Sequence, residues 1–272
     1  MTGLAGPLVL VGCGKMGGAL LQGWLERGLD PASTYVIEPD EATRASLAER
    51  GVRALGGQAE LPPDLVARAI VFAIKPQMMG DALPGYHALV GRGGLVVSIA
   101  AGTLARRFTD AFGEDTPVVR AMPNTPAAIG KGASVLWSNA RASPGQRDLA
   151  AELLAAVGTV DWIEDEDLMH AVTAMSGGGP AYVFLLIEAL ATAGRKAGLP
   201  EALATSLART TVIGAGALAA AGDEPPSTLR QNVTSPGGTT QAALGVLMAE
   251  PGIQALFDRA IAAGAARSQE LA

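Results

Sequence analysis

Near the start of the chain, Val11-Gly12-Cys13-Gly14-Lys15-Met16-Gly17 sets three glycines at the spacing G-x-G-x-x-G. An apolar run precedes them and a helical pattern follows. At that junction each glycine has a job: Gly12 permits a tight turn, Gly14 lets the backbone approach a pyrophosphate, and Gly17 lets helix and strand pack closely. The helix start then offers free N–H groups and the positive end of its dipole to phosphates. Cys13 and Lys15 contribute loop backbone. The chemistry this loop supports is the holding of a dinucleotide, most naturally a nicotinamide. Glu38 closes the next apolar run about 20 residues on, where a carboxylate bonds ribose hydroxyls and repels a 2′-phosphate. Pro39 keeps Glu38 extended. This favours NADH over NADPH, although Arg44 on the following helix could reach a phosphate.

Two further loops end apolar runs. Ala73-Ile74-Lys75-Pro76-Gln77 is one, and Ile99-Ala100-Ala101-Gly102-Thr103 is the other. Ligands of open α/β sheets bind outside the carboxyl ends of strands, so both loops are expected to face the cofactor. The small residues Ala100–Gly102 leave room for a ribose or nicotinamide. Arg120-Ala-Met-Pro123-Asn124-Thr125-Pro126 forms a rigid loop that presents polar groups.

A second group of chemistry-bearing residues lies far downstream. Asn232-Val-Thr-Ser235-Pro-Gly237-Gly238-Thr239-Thr240 leads into an Ala- and Leu-rich helix, which makes an anion cup from N–H groups and hydroxyls. With no strand before it and no Gly-Lys pair after it, the cup suits a small carboxylate better than a triphosphate. Thr173-Ala-Met-Ser176-Gly-Gly-Gly179-Pro180-Ala-Tyr182 interrupts a helical pattern, and Pro180 fits the first turn of the helix that resumes. His170, three residues before Thr173 on an apolar stretch, reads as a packed or surface histidine.

The elements that must position these residues change character along the chain. Continuous apolar runs at Leu8–Val11, Tyr35–Ile37, Ile70–Ile74, Leu95–Ile99 and Pro117–Arg120 read as strands buried on both faces of a parallel sheet. A further pair is expected at Ala133–Trp137 and Thr159–Ile163. Helical patterns lie between them at Lys15–Arg27, Asp40–Arg50, Gln77–Leu89 and Leu104–Phe112, giving a doubly wound α/β domain. After Ile163 no strand pattern remains. Helices are expected at Pro180–Ala197, Pro200–Ala221, Thr239–Ala249 and Gly252–Leu271. The boundary falls near Trp162–Asp165, dividing the chain into 1–163 and 164–272. The five acidic residues between Asp161 and Asp167 read as a solvated turn and helix start. The apolar helical half has a large face to hide, either within a self-contained helical bundle or against a partner subunit.

Bulk composition narrows the function classes. With 272 residues, 49% hydrophobic and 17% charged, the chain can build a sizeable core. A net charge of −6 argues against a nucleic-acid partner. One cysteine and two histidines argue against a disulfide framework and a multi-His or cysteine-rich metal site. The N-terminus reaches an apolar run by Leu8 without a basic region, so no signal peptide is expected. The apolar stretches near Tyr182–Ala193 and Thr210–Ala221 fall short of the roughly 20 residues of a membrane span. No membrane association and a cytoplasmic location are the expectations.

Taken together, Gly12–Gly17, Ile74-Lys-Pro-Gln77, Ala101-Gly102, Met122-Pro-Asn-Thr-Pro126, Gly179-Pro-Ala-Tyr182 and above all Asn232–Thr240 resemble the pyrroline-5-carboxylate reductases. The resemblance runs over roughly Leu8 to Leu271. It implies an N-terminal Rossmann domain and an all-helical C-terminal dimerisation domain. It also implies hydride transfer from NADPH or NADH to 1-pyrroline-5-carboxylate, the last step of proline biosynthesis, in a homodimer that often assembles further into a decamer. By resemblance, Val11–Met16, Ala73–Pro76, Ile99–Ala101 and Asn232 line the cofactor site. Thr173, Asp223, Thr239 and Thr240 lie near the substrate, and Ser235 and Gly238 belong to the carboxylate loop; Thr173 is the catalytic candidate. The chain departs from the family pattern at Gly178, where a serine is usual, and at Glu38, where many members carry no acidic residue. The rival readings are a related imine or β-hydroxyacid reductase, for which Lys196 is the only lysine on the long helix, and a dinucleotide-binding regulator without turnover.

Overall fold

The computed structural model describes residues 6–272. Residues 1–5, part of the expected first domain, lie outside the described residues. The first apolar run forms β1 (Leu8–Val11), which pairs in parallel with β2 (Thr34–Ile37) on one side and β4 (Ala69–Phe72) on the other. β3 (Arg53–Leu55) adds to β2 at the edge. β5 (Leu95–Ser98) and β6 (Val118–Met122) extend the other wing in parallel. β7 (Gly132–Ser138) returns antiparallel to β6, and β8 (Gly158–Trp162) runs parallel to β7. The order is β3-β2-β1-β4-β5-β6-β7-β8. Every residue of β1, β2, β4 and β5 is buried, as their largely apolar composition requires, with Thr34 and Ser98 buried among them. The reversal at β7 follows from chain length: a parallel crossover needs about a dozen residues or more, and the Met122–Gly132 link is shorter.

Alternate strand residues point to opposite faces. Leu8, Leu10 and Val71 pack with Leu20, Leu21 and Trp24 of α1 (Lys15–Glu26). Val9, Val11, Ile70 and Phe72 instead pack with an aromatic group at Tyr86, Phe108 and Phe112. α2 (Glu41–Glu49) is capped by Asp40, whose carboxylate accepts from Thr43 N at 2.8 Å. The expected Gln77–Leu89 helix is corrected: it breaks into α3 (Met79–Ala82) and α4 (His87–Val90), joined by a tight 3-10 turn over Leu83–Tyr86. Pro84 and Gly85 account for the break, since proline lacks the N–H that an α-helix needs. α5 covers Arg106–Phe112. α6 (Pro144–Ala155) lies in a stretch where no helix was expected, although Ser143 and Gln146 form a capping box and Pro144 sits in the first turn. Its Leu153 carbonyl accepts from the Trp24 indole at 2.8 Å.

No strand follows Trp162 among the described residues. α7 (Leu168–Val172) passes through a π turn at Thr173–Gly177 into α8 (Gly179–Lys196), so the expected break is a widened helical turn rather than a loop. α9 (Glu201–Ala220), α10 (Pro226–Asn232), α11 (Thr239–Leu247) and α12 (Ile253–Glu270) follow. α10 lies in a stretch where no helix was expected. Contacts group the residues up to Gly177 with Gly264–Ala272 as one unit, and Gly178–Ala263 as a second. The composition change coincides with the end of β8, while the contact boundary falls at Gly177.

In the second unit, α8 and α9 pack through small residues, with Ala191, Ala204 and Ala208 buried. Phe184, Leu185, Ile213 and Leu218 remain exposed. The apolar helical runs extend beyond the stretches Tyr182–Ala193 and Thr210–Ala221, which are too short for a membrane span by themselves. Leu168–Lys196 and Glu201–Ala220 are each long and apolar enough to cross a membrane, with mean hydropathy 1.3. Length and composition alone do not separate a span from a helix that buries its face against another subunit.

Candidate active site

Strand register brings the expected cofactor loops to one edge. Ile37 pairs with Val11, Val11 with Phe72, Phe72 with Ser98, and Ser98 with Arg120. The next residues in each case are Glu38, Gly12–Gly17, Ala73–Pro76, Ile99–Ala101 and the loop through Asn124. Strand order reverses between β2-β1 and β4-β5, and a crevice for a ligand opens at such a switch point.

Within the glycine loop the three roles are separable. Gly12 sits at φ +91°, a conformation that side chains rarely adopt, and a Cβ there would lie 2.7 Å from Ile74 Cγ2. A Cβ on Gly17 would collide with the Gly12 carbonyl. Gly14 has open space where its Cβ would be, and it caps α1 without any side-chain hydrogen bond. The helix start is therefore bare backbone facing open space, which fits a pyrophosphate. Glu38 spans the bend: Oε2 accepts from Cys13 N at 2.9 Å and Oε1 from Asp40 N at 3.0 Å. Arg44 is held by the carbonyls of Glu38 and Pro39, at 2.9 and 2.5 Å. Burial, with the Glu38 charge second, pushes the Cys13 thiol up to about 11. Lys75 is exposed and caps the short turn at Pro76.

The first unit also holds a cavity of about 470 Å³, within the size range of small-ligand sites. Its walls bring Pro76 and Ala101, from two cofactor loops, together with Thr173. Gln77, Thr103 and Arg107 add polar groups, and the last turns of α12 supply Arg267 and Ser268. The sequence reading had not singled out Arg107, Arg267 or Ser268; nothing in their local pattern marks them. Thr173 Oγ1 donates to the Met169 carbonyl at 2.7 Å, so its proton is engaged and its lone pairs are left to accept. His170 is packed, with Nδ1 2.9 Å from Ser268 Oγ. Asn124 is tied internally, donating to Ser176 and accepting from Ala133 N at 2.9 Å. The acidic run at 161–167 is solvated except at Glu166, which binds Arg120 at 2.8 Å.

The downstream residues lie in the second unit. Asp223 is exposed in the link between α9 and α10, and Asn232 ends α10. The loop then turns through Gly237 at φ +72°, whose N–H is taken by Gln241 Oε1 at 2.6 Å. Gly238 caps α11 with no side-chain hydrogen bond, leaving Ser235, Thr239 and Thr240 exposed around a nine-residue helix start. The hydroxyls are thus not used as the helix's own cap.

Comparison with known proteins agrees with this fold. The family described as pyrroline-5-carboxylate reductase dimerisation matches residues 166–271. One described as NADP oxidoreductase coenzyme F420-dependent matches residues 7–102. The chain is 39% identical over 266 residues to a pyrroline-5-carboxylate reductase of Pseudomonas aeruginosa, covering 97% of this chain and 96% of that protein. It is 37% identical to one from Pisum sativum, covering 97% and 95%. A pyrroline-5-carboxylate reductase structure from Coxiella burnetii superposes with TM-score 0.92 at 32% identity, covering 98% of both chains. A Plasmodium falciparum pyrroline carboxylate reductase with NADP bound gives TM-score 0.81 at 28% identity, covering 97% of both.

Proposed function

The chain belongs to the pyrroline-5-carboxylate reductase family, and from that premise we propose that it reduces L-1-pyrroline-5-carboxylate to L-proline with NADPH or NADH. This is the last step of proline biosynthesis, and we place it in the cytoplasm. The observation that carries the reading in the structure is the first-unit cavity, lined jointly by Pro76, Ala101 and Thr173.

We assign Val11–Gly17, Glu38, Ala73–Pro76, Ile99–Ala101 and Asn232 to the cofactor. Ser235, Gly238, Thr239 and Thr240 are assigned to the ring carboxylate through the bare start of α11, with Asp223 near the substrate. The reduced nicotinamide, when bound, supplies the hydride. The protein's share is position and charge. Reduction places electron density on the ring nitrogen, so that nitrogen must be protonated. Thr173 already gives its proton to Met169 and is a weak acid in any case. Its free lone pairs suit it to accept from an iminium N–H, orienting a substrate that arrives protonated. Holding the reactants in register is worth up to about 7–11 kcal/mol in favourable intramolecular models.

The expected bounds, 1–163 for cofactor binding and 164–272 for dimerisation and substrate binding, are retained as the functional division. A homodimer is the proposed working unit, with a decamer as the higher assembly. A β-hydroxyacid reductase would require a lysine in the site, and Lys196 is exposed in the last turn of α8. The deciding assay follows nicotinamide absorbance with purified protein, each coenzyme and racemic 1-pyrroline-5-carboxylate. No oxidation above background with either coenzyme overturns the assignment.

A further inference from the structure

Beside the turn at Pro76 and Gln77, three further chain segments wall the first-unit cavity: the stretch from the β5 loop to Arg107 of α5, the helical segment carrying Thr173, and the last turns of α12. They are far apart in sequence, so something must hold them in register. Two side chains one helical turn apart do so. Glu166 Oε1 accepts from Ala105 N at 2.8 Å and from Arg120 Nη1 at 2.8 Å. That ties the segment before α7 to the loop after β5 and to the middle of β6. Arg120 is almost wholly buried, so its partner cannot be lost cheaply. His170 Nδ1 bonds Ser268 Oγ at 2.9 Å, with both residues buried, tying α7 to the end of α12. The ring closes at Gly102. Its φ is +72°, and a Cβ there would stand 3.6 Å from the backbone of Ser268 and Leu271. The β5 loop thus comes within one methyl group's reach of the backbone at the C-terminal end of α12.

We infer that Glu166 and His170 form a brace that positions the cavity walls around Thr173, with Ser268 as the anchor on α12. Neither brace residue lines the cavity. They are positioning residues, acting through Ala105 and Ser268 on the loop and helix that face the ligand. The inference rests on the cofactor and substrate assignments above, but the brace itself can be read without turnover.

The test uses the full-length protein as Ser268→Ala, Ser268→Thr and Glu166→Gln, measured for steady-state rates, nucleotide affinity, thermal midpoint and amide hydrogen exchange. In Ser268→Ala, kcat should fall about fivefold, the effect of one lost hydrogen bond, while nucleotide affinity stays within about twofold. Ser268→Thr, which keeps the hydroxyl, should restore the rate. Exchange should quicken in Gly102–Ala105 and in Ser268–Leu271 together, in both Ser268→Ala and Glu166→Gln. Unchanged kcat in folded Ser268→Ala overturns the brace, as does an activity loss that only follows the folded fraction. If the wild type fails to reduce 1-pyrroline-5-carboxylate, the functional reading falls. Exchange alone then judges the brace, and loosening confined to the substituted segment overturns it.

Discussion

Glu38 accepts at once from the glycine loop at Cys13 and from its own turn at Asp40. Under the proposed cofactor assignment, a carboxylate so fixed would meet an adenosine ribose at the bend and would oppose a 2′-phosphate. Replacing Glu38 with alanine should therefore lower the NADH-over-NADPH ratio of kcat/KM by about tenfold or more, the range of a lost charge-assisted hydrogen bond. An unchanged ratio would remove Glu38 as the selector. Cys13 beside it carries the opposite lesson: a loop thiol next to a helix start is often reactive, yet here burial and Glu38 push its pKa up to about 11. The folded state holds that proton more tightly than the unfolded chain. Its stabilising share is full below about pH 9 and is lost as pH rises toward about 11. Cys13→Ser should flatten the alkaline fall of the thermal midpoint over that window, and iodoacetamide at pH 8 should alkylate the folded wild type far more slowly than the unfolded chain. Thr173 completes this scale. Thr173→Ala should cost about tenfold in kcat and Thr173→Ser much less, because the accepting oxygen survives only in the second.

Elements were legible where composition alone decides them. The runs that became β1, β2, β4 and β5 are apolar but for Thr34 and Ser98 at strand ends, and such runs are buried on both faces of a parallel sheet. β3 escaped notice because three edge residues, half-exposed, carry no period. α6 carries a start signal in Ser143-Pro-Gly-Gln146, but its apolar face is broken, so its periodicity is weak. Removing that box offers a control away from the site. Ser143→Ala should lower stability by about 1 kcal/mol in denaturant unfolding and leave kcat unchanged. The Gln77–Leu89 segment failed the other way. Its spacing looks helical, but Pro84 and Gly85 override period, and the segment folds as short turns.

The exposed apolar faces of the second unit set the question at the scale of the whole molecule. Phe184, Leu185, Ile213 and Leu218 would be costly to leave in water, and the matching family is described as a dimerisation domain. Covering them with a second copy would account for helices of membrane-span length in this chain. Leu185→Asp combined with Ile213→Asp should reduce the mass seen by light scattering to that of the monomer. An unchanged assembly would place the interface elsewhere.

By itself the sequence determined the class of fold, the glycine loop and the family. Each depends on local spacing, and local spacing is read directly from the chain: Gly12, Gly14 and Gly17, the unbroken strands, the run from Asn232 to Thr240. Only the tertiary structure decided what surrounds Thr173. Register set Ser98 beside Phe72 and so brought the loops after β4 and β5 to one edge. Packing then drew Ser268 onto His170, and Glu166 out of an apparently solvated acidic run onto Arg120. Those partners lie 98 and 46 residues apart in the chain. No periodicity spans such a distance, and the burial that makes each pairing obligatory exists only once the sheet and the last helix have met.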